Sequence, residues 1–171
     1  MTAVRSFAPV ADASARVLIL GSMPGTRSLD AGQYYAHPRN AFWPIMASLL
    51  GFEATAPYPQ RLDALRHAGI ALWDVLQSCV RPGSLDAAIE PGSRVVHDFV
   101  AFFAAHPLIR QVCFNGVEAE TSYRRYVLPQ LSDDGLRYAR LPSTSPAHAG
   151  LGFDQKRAIW RAALALDGRL G

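Results

Sequence analysis

The chain has 171 residues, of which 50% are hydrophobic and 18% are charged, a balance typical of one globular domain with a sizeable core. No stretch approaches the ~20 apolar residues that a membrane-spanning helix needs, so we predict a cytoplasmic protein without a membrane partner. The net charge of +3 fits a polyanionic partner without requiring one. The only cysteines, Cys79 and Cys113, predict reduced thiols and argue against an iron–sulfur cluster. We therefore expect no metal and no other cofactor.

Four segments of the chain are predicted to be β-strands. The first segment is rich in valine, leucine and isoleucine without interruption, the pattern of a strand that is buried on both faces. The predicted strands cover residues 16–20, 70–75, 109–114 and 137–141. Residues 1–15 show no such pattern, and we predict a poorly specified leader there.

Helical patterns alternate with these strands. The predicted helices cover residues 45–50, 61–67, 95–103, 117–126 and 153–166, on the spacing of their apolar residues. Residues 81–92 hold two prolines and two glycines, which predicts a loop with one helical turn at residues 85–89. The alternation predicts an α/β fold: a three-layer α/β/α domain around a central, mainly parallel four-stranded sheet.

Polar residues cluster directly after the predicted strands. They occupy residues 21–40, 74–81 and 143–148, together with Asn115. Ligands of an open parallel sheet bind beyond the carboxyl ends of its strands. The clusters therefore predict one active site at that edge of the sheet.

Two separated motifs carry a family resemblance. The first joins the turn Gly-Ser-Met-Pro-Gly at residues 21–25 to Tyr-Tyr-Ala-His-Pro-Arg-Asn-Ala-Phe-Trp at residues 34–43, and the second is Leu-Pro-Ser-Thr-Ser-Pro-Ala at residues 141–147. These motifs and their spacing resemble the uracil-DNA glycosylase superfamily, in particular its hypoxanthine (deoxyinosine) DNA glycosylase branch. The resemblance implies a DNA repair enzyme that hydrolyses the N-glycosidic bond of a deaminated base flipped out of double-stranded DNA. Hypoxanthine is the favoured base, with uracil and xanthine as alternatives.

The resemblance places the catalytic residues in the second half of the first motif. Asn40 matches the asparagine that positions the attacking water in this branch, whereas residues 21–25 contain neither Asn nor Asp. From the residues alone, Asn40 could equally cap the helix that follows. His37 could polarise the leaving base or contact a phosphate, or it could only fix the loop. Arg39 is expected to contact DNA.

The base pocket is expected to combine the turn with an aromatic ring. Tyr35 resembles the residue that stacks on the flipped base, while its large aromatic neighbours are predicted to be buried in the core. The backbone of Gly21, Ser22 and Met23 can approach a base closely. The neighbours predicted to be buried are Tyr34, Phe42 and Trp43.

Asp74 ends the second predicted strand, where the family places a residue that reads the edge of the base. A carboxylate can accept the N1 proton of hypoxanthine, which favours a base of that kind. Two structural alternatives stay open. Asp74 could instead cap the next turn or pair with Arg81.

The second motif resembles the loop that pinches the DNA backbone and wedges the base stack. The residues expected to contact DNA there are Ser143, Thr144, Ser145, Pro146, Ala147 and His148. Ala147 matches the position of a bulky leucine in the family, so His148 or Leu151 would have to fill the vacated stack instead. Alternatively, the prolines at positions 142 and 146 form an ordinary rigid turn.

Lys156 is the only lysine of the chain. A glycosylase that also cuts the strand normally needs an amine to form a Schiff base with the sugar. Because Lys156 begins the last predicted helix, we expect it on a solvated face or at a phosphate. We therefore predict a monofunctional enzyme that leaves an abasic site. Separately, we expect the protein to act as a monomer.

Three other functions fit parts of the pattern. A serine hydrolase is disfavoured because Ser22 is second, not central, in the five-residue turn. A nucleotide- or phosphate-binding α/β hydrolase could use Gly21 and Gly25, but the chain has neither the G-x-G-x-x-G pattern nor a Walker lysine. A non-enzymatic DNA-binding relative would bind duplex DNA and would not depend on Asn40.

Overall fold

A computed structural model describes residues 2–132 and 135–164. Its strands, in chain order, are β1 (Val4–Arg5), β2 (Val17–Gly21), β3 (Ile70–Asp74), β4 (Leu76–Cys79), β5 (Val95–Val96), β6 (Gln111–Asn115) and β7 (Arg137–Leu141). The four predicted strands correspond to β2, β3, β6 and β7. Their bounds differ from the predicted ones by at most two residues.

The central sheet has the strand order β3-β2-β6-β7, and its neighbouring strands are all parallel. The register pairs Gly21 with Asp74 and Asn115 with Leu141. The strands consequently end level with one another, so the segments that follow them meet at one edge. The predicted parallel four-stranded sheet is confirmed.

The helices are α1 (Thr26–Ala31), α2 (Phe42–Leu50), α3 (Tyr58–His67), α4 (Phe99–Ala105), α5 (Val117–Ser122) and α6 (Phe153–Leu164). Helix α1 lies in a segment for which we predicted no helix. Helix α5 continues through a π-helical turn, Tyr123–Val127, and a 3₁₀ turn lies at Asp86–Ala88 as predicted. The predicted end of the last helix, residue 166, lies outside the described residues. None of the helices in the described parts of the chain is long and apolar enough to cross a membrane.

Alternate residues of the central strands point to two separate cores, which makes the domain three-layered. Leu18 and Leu20 pack with residues of α4 and α5, whereas Val17 and Ile19 pack with residues of α2, α3 and α6. All four are at most 1% exposed. Full burial of one such side chain contributes roughly 1.5–3 kcal/mol. Burial on both faces explains the uninterrupted apolar run of β2.

A second, antiparallel sheet of order β1-β4-β5 is a feature that we did not predict. Strand β1 lies within the predicted leader, where Val4 pairs with Cys79 and Val10 bridges Leu72. The predicted helix at residues 95–103 is wrong before Phe99, because Val95 and Val96 form strand β5. The reason is Asp98, whose carboxylate accepts the Ala101 N–H at 3.0 Å and so starts α4 at Phe99.

Candidate active site

A cleft of about 890 Å³ opens at the carboxyl ends of the parallel strands. Its walls are the first motif, the loop after β4, the start of α5 and the loop after β7. The predicted site residues that line it are Gly21, Ser22, Met23, Tyr35, His37, Asn40, Asp74, Ser143, Thr144, Ser145, Pro146, Ala147 and His148. Arg39 is exposed and lies outside this lining. The sheet therefore brings residues from distant parts of the chain into one cleft.

Asp74 is buried in the wall of the cleft, with 3% of its surface exposed. Its Oδ2 atom has no hydrogen-bond partner in the described structure. A methyl group on Gly21 would lie 2.5 Å from Oδ1, so the carboxyl group occupies space that only a glycine leaves open. Burial raises the pKa of Asp74 to about 7, Asp86 adds to the rise, and Arg81 opposes it. A buried acid with an unsatisfied oxygen is a candidate for ligand binding.

Arg81 is buried and supports the first motif instead of pairing with Asp74. Its guanidinium donates to the carbonyl oxygens of Pro24 at 2.6 Å, Gly83 at 2.9 Å and Met23 at 3.4 Å. No ion pair joins Arg81 to Asp74 in the described residues. The guanidinium therefore fixes the turn at residues 21–25 and leaves the aspartate unpaired.

Tyr35 has an unusual backbone and a buried hydroxyl group. Its φ of 55° is the only positive value among the described residues other than glycine. Its ring stacks on Phe42, with centroids 4.2 Å apart, and its buried hydroxyl oxygen has no hydrogen-bond partner within the geometric limits among the described residues. Burial, with a further contribution from Asp74, raises the pKa of Tyr35. Such backbone strain in a large residue is typical of functional sites.

The three aromatic residues beside Tyr35 lie in the core as predicted. Tyr34, Phe42 and Trp43 are each less than 5% exposed. The Tyr34 hydroxyl donates to the Ala8 carbonyl at 2.9 Å, and the Trp43 indole donates to the Tyr34 carbonyl at 2.8 Å. These bonds give the loop before α2 a rigid base.

Asn40 and His37 both line the cleft, and both also bond to nearby backbone. Asn40 Oδ1 accepts the Phe42 N–H at 2.9 Å at the start of α2, so the capping alternative describes a real contact. His37 Nδ1 accepts the Arg39 N–H at 3.0 Å. In the neutral ring the proton is therefore on Nε2, which leaves that atom as a donor.

Thr144 joins three segments of the cleft wall. Its N–H donates to Asn115 Oδ1, and Asn115 Nδ2 donates back to Thr144 Oγ1, both at 2.9 Å. Its carbonyl accepts the Ala41 N–H at 2.9 Å. Thr144 is only 1% exposed, which places its hydroxyl inside the wall. These bonds attach the end of β6 and the first motif to the second motif.

The rest of the second motif forms successive serine turns. Ser143 Oγ accepts the Ser145 N–H at 3.1 Å, and Ser145 Oγ accepts the Ala147 N–H at 3.2 Å. Both hydroxyl protons stay free of these bonds. Pro146, Ala147 and His148 are exposed at the tip of the loop.

Helix α6 holds both ends of this loop. Trp160 Nε1 donates to the Pro142 carbonyl at 3.0 Å, and Lys156 Nζ donates to the His148 carbonyl at 2.7 Å. The prediction that Lys156 lies on a solvated face or at a phosphate is wrong, because the residue is only 5% exposed. Burial lowers the pKa of its amine. Sequence spacing marks the start of α6 but cannot show that a loop covers it.

Charged residues that the sequence analysis missed complete the cleft. Ser22 Oγ donates to Asp86 Oδ1 at 2.6 Å, which links the first motif to the loop after β4. Arg94 forms a bidentate ion pair with Glu118, with contacts of 2.8 and 3.2 Å. Asp86 lies in a segment that we predicted as a loop with one helical turn, without a role in the site. Its position at the start of a short helical turn was the one local signal.

The chain matches the sequence-family model of the Uracil DNA glycosylase superfamily over residues 8–164. The chain belongs to the uracil DNA glycosylase superfamily. It is 34% identical over 145 residues to a protein of Methanosarcina acetivorans named hypoxanthine DNA glycosylase, covering 80% of this chain and 90% of the relative. A protein of the same name from Methanosarcina barkeri is 37% identical over 113 residues, covering 66% and 70%.

A solved structure supports the same assignment to the uracil DNA glycosylase superfamily. The solution NMR structure of a candidate uracil DNA glycosylase from Methanosarcina acetivorans superimposes with a TM-score of 0.76 at 31% identity. The match covers 95% of this chain and 99% of that chain. The predicted family and its α/β fold are thus confirmed.

The cysteines and potential metal ligands of this uracil DNA glycosylase superfamily member are dispersed. Cys79 and Cys113 are both buried and form no disulfide. Within residues 2–132 and 135–164, no three His, Cys, Asp or Glu residues come together as metal ligands.

Proposed function

We propose that the chain is a monofunctional DNA glycosylase that removes hypoxanthine, in preference to uracil or xanthine, from double-stranded DNA. Its membership of the uracil DNA glycosylase superfamily and the names of its two Methanosarcina relatives support this reaction. The enzyme would act as a monomer in the cytoplasm. The observation that carries the proposal is the unsatisfied carboxyl group of Asp74 inside the cleft.

Asp74 suits the edge of a deaminated base. Hypoxanthine presents the N1 proton beside the O6 oxygen, and a neutral carboxyl group offers an acceptor beside a donor at the same spacing. Because the pKa of Asp74 is about 7, the neutral form is well populated at neutral pH. Adenine presents an acceptor at N1 beside a donor amino group, so it would pair with a carboxyl group only in the reversed orientation. Uracil shows the same N–H and C=O pair as hypoxanthine, so the preference for a purine rests on the relatives.

Asn40 would position the water that attacks the sugar. Oδ1 has two lone pairs, and only one of them accepts the Phe42 N–H. The bond to Phe42 fixes the orientation of the amide, so capping and water binding are compatible roles of one side chain. An amide held in this way pre-positions water before the bond to the base breaks.

His37 and Tyr35 would act on the flipped nucleotide itself. The Nε2 proton of His37 can be donated to the departing base or to a phosphate. Tyr35, held by Phe42 and by its strained backbone, would place its ring against the base. The backbone of Gly21, Ser22 and Met23 would approach the base from the neighbouring wall.

The loop after β7 would contact the DNA backbone. Ser143 and Ser145 keep their hydroxyl protons available for phosphate oxygens, while Thr144 supports the loop from inside. Pro146, Ala147 and His148 at the exposed tip, together with Arg39, would lie against the duplex. The amine of Lys156 already donates to the His148 carbonyl inside the protein, which supports a hydrolase without strand-cleaving activity.

The test uses labelled duplexes that each contain one hypoxanthine, uracil or xanthine, followed by alkaline cleavage of abasic sites. We expect product mainly from hypoxanthine. Asn40→Ala should lose at least ~100-fold in rate, and Asn40→Ser, which keeps a capping oxygen but shortens the side chain, should lose nearly as much. A wild-type rate in Asn40→Ser would show that capping is the whole role of Asn40.

The same experiment separates the alternatives. Folded protein that binds duplex DNA but releases no base would identify a non-enzymatic relative. Hydrolysis of free nucleotides without action on DNA would identify a nucleotide hydrolase.

A further inference from the structure

The inference concerns Asp86 and rests on the proposed glycosylase reaction. Asp86 begins the 3₁₀ turn Asp86–Ala88 in the loop after β4, and it lines the cleft. Its Oδ1 accepts the Ser22 hydroxyl proton at 2.6 Å. Its Oδ2 has no protein partner in the described residues, and the residue is exposed. One oxygen of this carboxylate is thus held by a hydrogen bond to the first motif, and the other is available to a ligand.

Asp86 differs from the other two acids of the cleft. Asp74 is buried with a pKa of about 7, so it carries little charge below neutral pH. The charge of Glu118 is neutralised by its bidentate ion pair with Arg94, and the Ser122 hydroxyl also donates to this carboxylate. Of the three cleft carboxylates in the described structure, Asp86 alone is accessible and lacks an ion pair.

The basic residues near Asp86 are already engaged elsewhere. Arg81 donates to three backbone carbonyls, and Arg94 pairs with Glu118. Burial raises the pKa of Asp86, and the hydrogen bond from Ser22 opposes that rise. Arg81 and Arg94 also lower the pKa of Asp86 from a distance, but neither forms a hydrogen bond or an ion pair with it in the described residues.

A carboxylate without an ion-pair partner is unfavourable for binding a polyanion such as DNA, because it repels the phosphates. The proposed reaction supplies a reason for its presence. When the bond between the base nitrogen and C1′ breaks, its electron pair leaves with the base, and positive charge develops on C1′ and the ring oxygen of the deoxyribose. A fixed carboxylate beside that sugar stabilises the cation more than the neutral ground state.

We propose that Asp86 is the residue whose negative charge stabilises the cationic sugar during base removal. The C1′–N bond breaks, the base leaves with the electron pair and takes up a proton, and water oxygen bonds to C1′ and releases a proton. One water is consumed, and Asp86 neither gains nor loses a bond. Asp74 would recognise the base and Asp86 would act on the sugar, two acids with separate roles set by their surroundings.

The test measures chemistry and DNA binding separately. Single-turnover excision of hypoxanthine at saturating enzyme gives the chemical rate, and fluorescence anisotropy with a 2′-fluoro-deoxyinosine duplex, which resists hydrolysis, gives the affinity. Asp86→Asn keeps the shape and the acceptor for Ser22 but removes the charge. We expect the chemical rate to fall by about 100-fold, while the duplex binds equally or more tightly because a repulsion is gone.

Two further variants distinguish an electrostatic role of Asp86 from a role in holding the loop in place through Ser22. Ser22→Ala removes the fastening bond and keeps the charge, so its rate should fall much less than that of Asp86→Asn. Asp86→Glu restores the charge and should recover part of the rate. Asp30→Asn, an exposed acid on α1 outside the cleft, is the matched control and should behave like the wild type. Thermal melting of each variant verifies the fold.

Each outcome decides a separate point. An Asp86→Asn rate within threefold of the wild type would overturn the role of Asp86 and leave the proposed function intact. Equal losses of rate in Asp86→Asn and Ser22→Ala, or parallel losses of rate and affinity, would show that Asp86 only fastens the loop. If the wild type releases no base from any duplex, the proposed function fails, and this role fails with it.

Discussion

Gly21 and Asp74 face each other across neighbouring strands so closely that a β-carbon on Gly21 would lie 2.5 Å from Asp74 Oδ1. The same β-carbon would lie 3.0 Å from the Tyr35 hydroxyl. In the described part of the chain, Asp74 and Tyr35 are the two cleft residues with a buried side-chain oxygen that lacks a hydrogen-bond partner. Gly21 is therefore the small residue that allows an acid and a phenol to meet at one point.

We expect Gly21→Ala to lower the free energy of unfolding by about 1–3 kcal/mol, because Asp74 and Tyr35 must move to make room. Urea denaturation measures the loss. Gly150→Ala is the control, since a β-carbon there meets no atom within 4 Å. Equal stability of the two variants would mean that the carboxyl group shifts at no cost and that Gly21 does not determine its position.

The raised pKa of Asp74 predicts a pH dependence of stability. Between the ordinary pKa of 3.8 and the folded value of about 7, the folded chain keeps a proton that the unfolded chain has lost. This residue therefore makes the protein less stable as the pH rises through that window. Asp74→Asn should remove the slope and raise the free energy of unfolding above pH 7 by on the order of 1–4 kcal/mol.

Urea denaturation at several pH values compares Asp74→Asn with the wild type and with Asp30→Asn, an exposed acid on α1. The gain in stability should accompany a loss of base excision, because the acid that destabilises the fold is the one assigned to the base. Parallel pH profiles for Asp74→Asn and the wild type would remove the basis for a strongly raised pKa.

The bonds between Asn115 and Thr144 predict a strong energetic coupling. Thr144→Val keeps the shape of the side chain but leaves the Asn115 amide without its acceptor, at a cost of about 1–3 kcal/mol. A double-mutant cycle with Asn115→Ala should give a coupling energy of at least ~0.5 kcal/mol. Thr55→Val, on an exposed threonine outside the cleft, should be close to neutral. Additive losses in the cycle would contradict a direct connection between the two segments.

The contact between Lys156 and His148 predicts an effect on DNA binding through the loop after β7. Lys156→Met keeps much of the buried volume but removes the donor to the His148 carbonyl, so the loop is held at one end only. We expect duplex affinity to fall about tenfold, in line with the ~1.5 kcal/mol of a hydrogen bond from a charged donor. Arg161→Met, on an exposed residue of the same helix, is the control for fluorescence anisotropy.

The hydrogen bond from Lys156 to the His148 carbonyl also predicts which product the reaction leaves. We expect abasic sites that are cut only after alkali, and no covalent protein–DNA complex after borohydride reduction, because the amine is buried. Gel analysis of the reduced mixture measures this directly. A trapped complex that disappears in Lys156→Met would instead establish a strand-cleaving activity.

The sequence was sufficient for the features that depend on local pattern. An uninterrupted apolar run predicted the first strand, and the alternation of strands with helices predicted the parallel sheet. The rule that ligands bind at carboxyl ends brought Tyr35, Asn40, Asp74 and Ser143 to one edge. The family resemblance rested on contiguous motifs and was confirmed. Asp98 was a local signal that we overlooked, and it would have separated β5 from α4.

The remaining features depend on contacts between distant segments, which no spacing rule encodes. Lys156 is buried because the loop after β7 folds over α6, and Thr144 is buried because Asn115 and Ala41 bond to it from two other segments. Asp86 reaches Ser22 across 64 positions of the chain. Such contacts require the order and register of the strands, which the sequence pattern left open.

The buried position of Lys156 makes it a built-in reporter of loop opening. It carries the only side-chain amine of the chain, and we expect that amine to react with acylating reagents only when its hydrogen bond to the His148 carbonyl opens. The rate of acylation at position 156, followed by mass spectrometry, thus measures how often the loop detaches from the last helix. Protection by bound DNA would show whether the duplex holds this loop closed, without any label introduced into the protein.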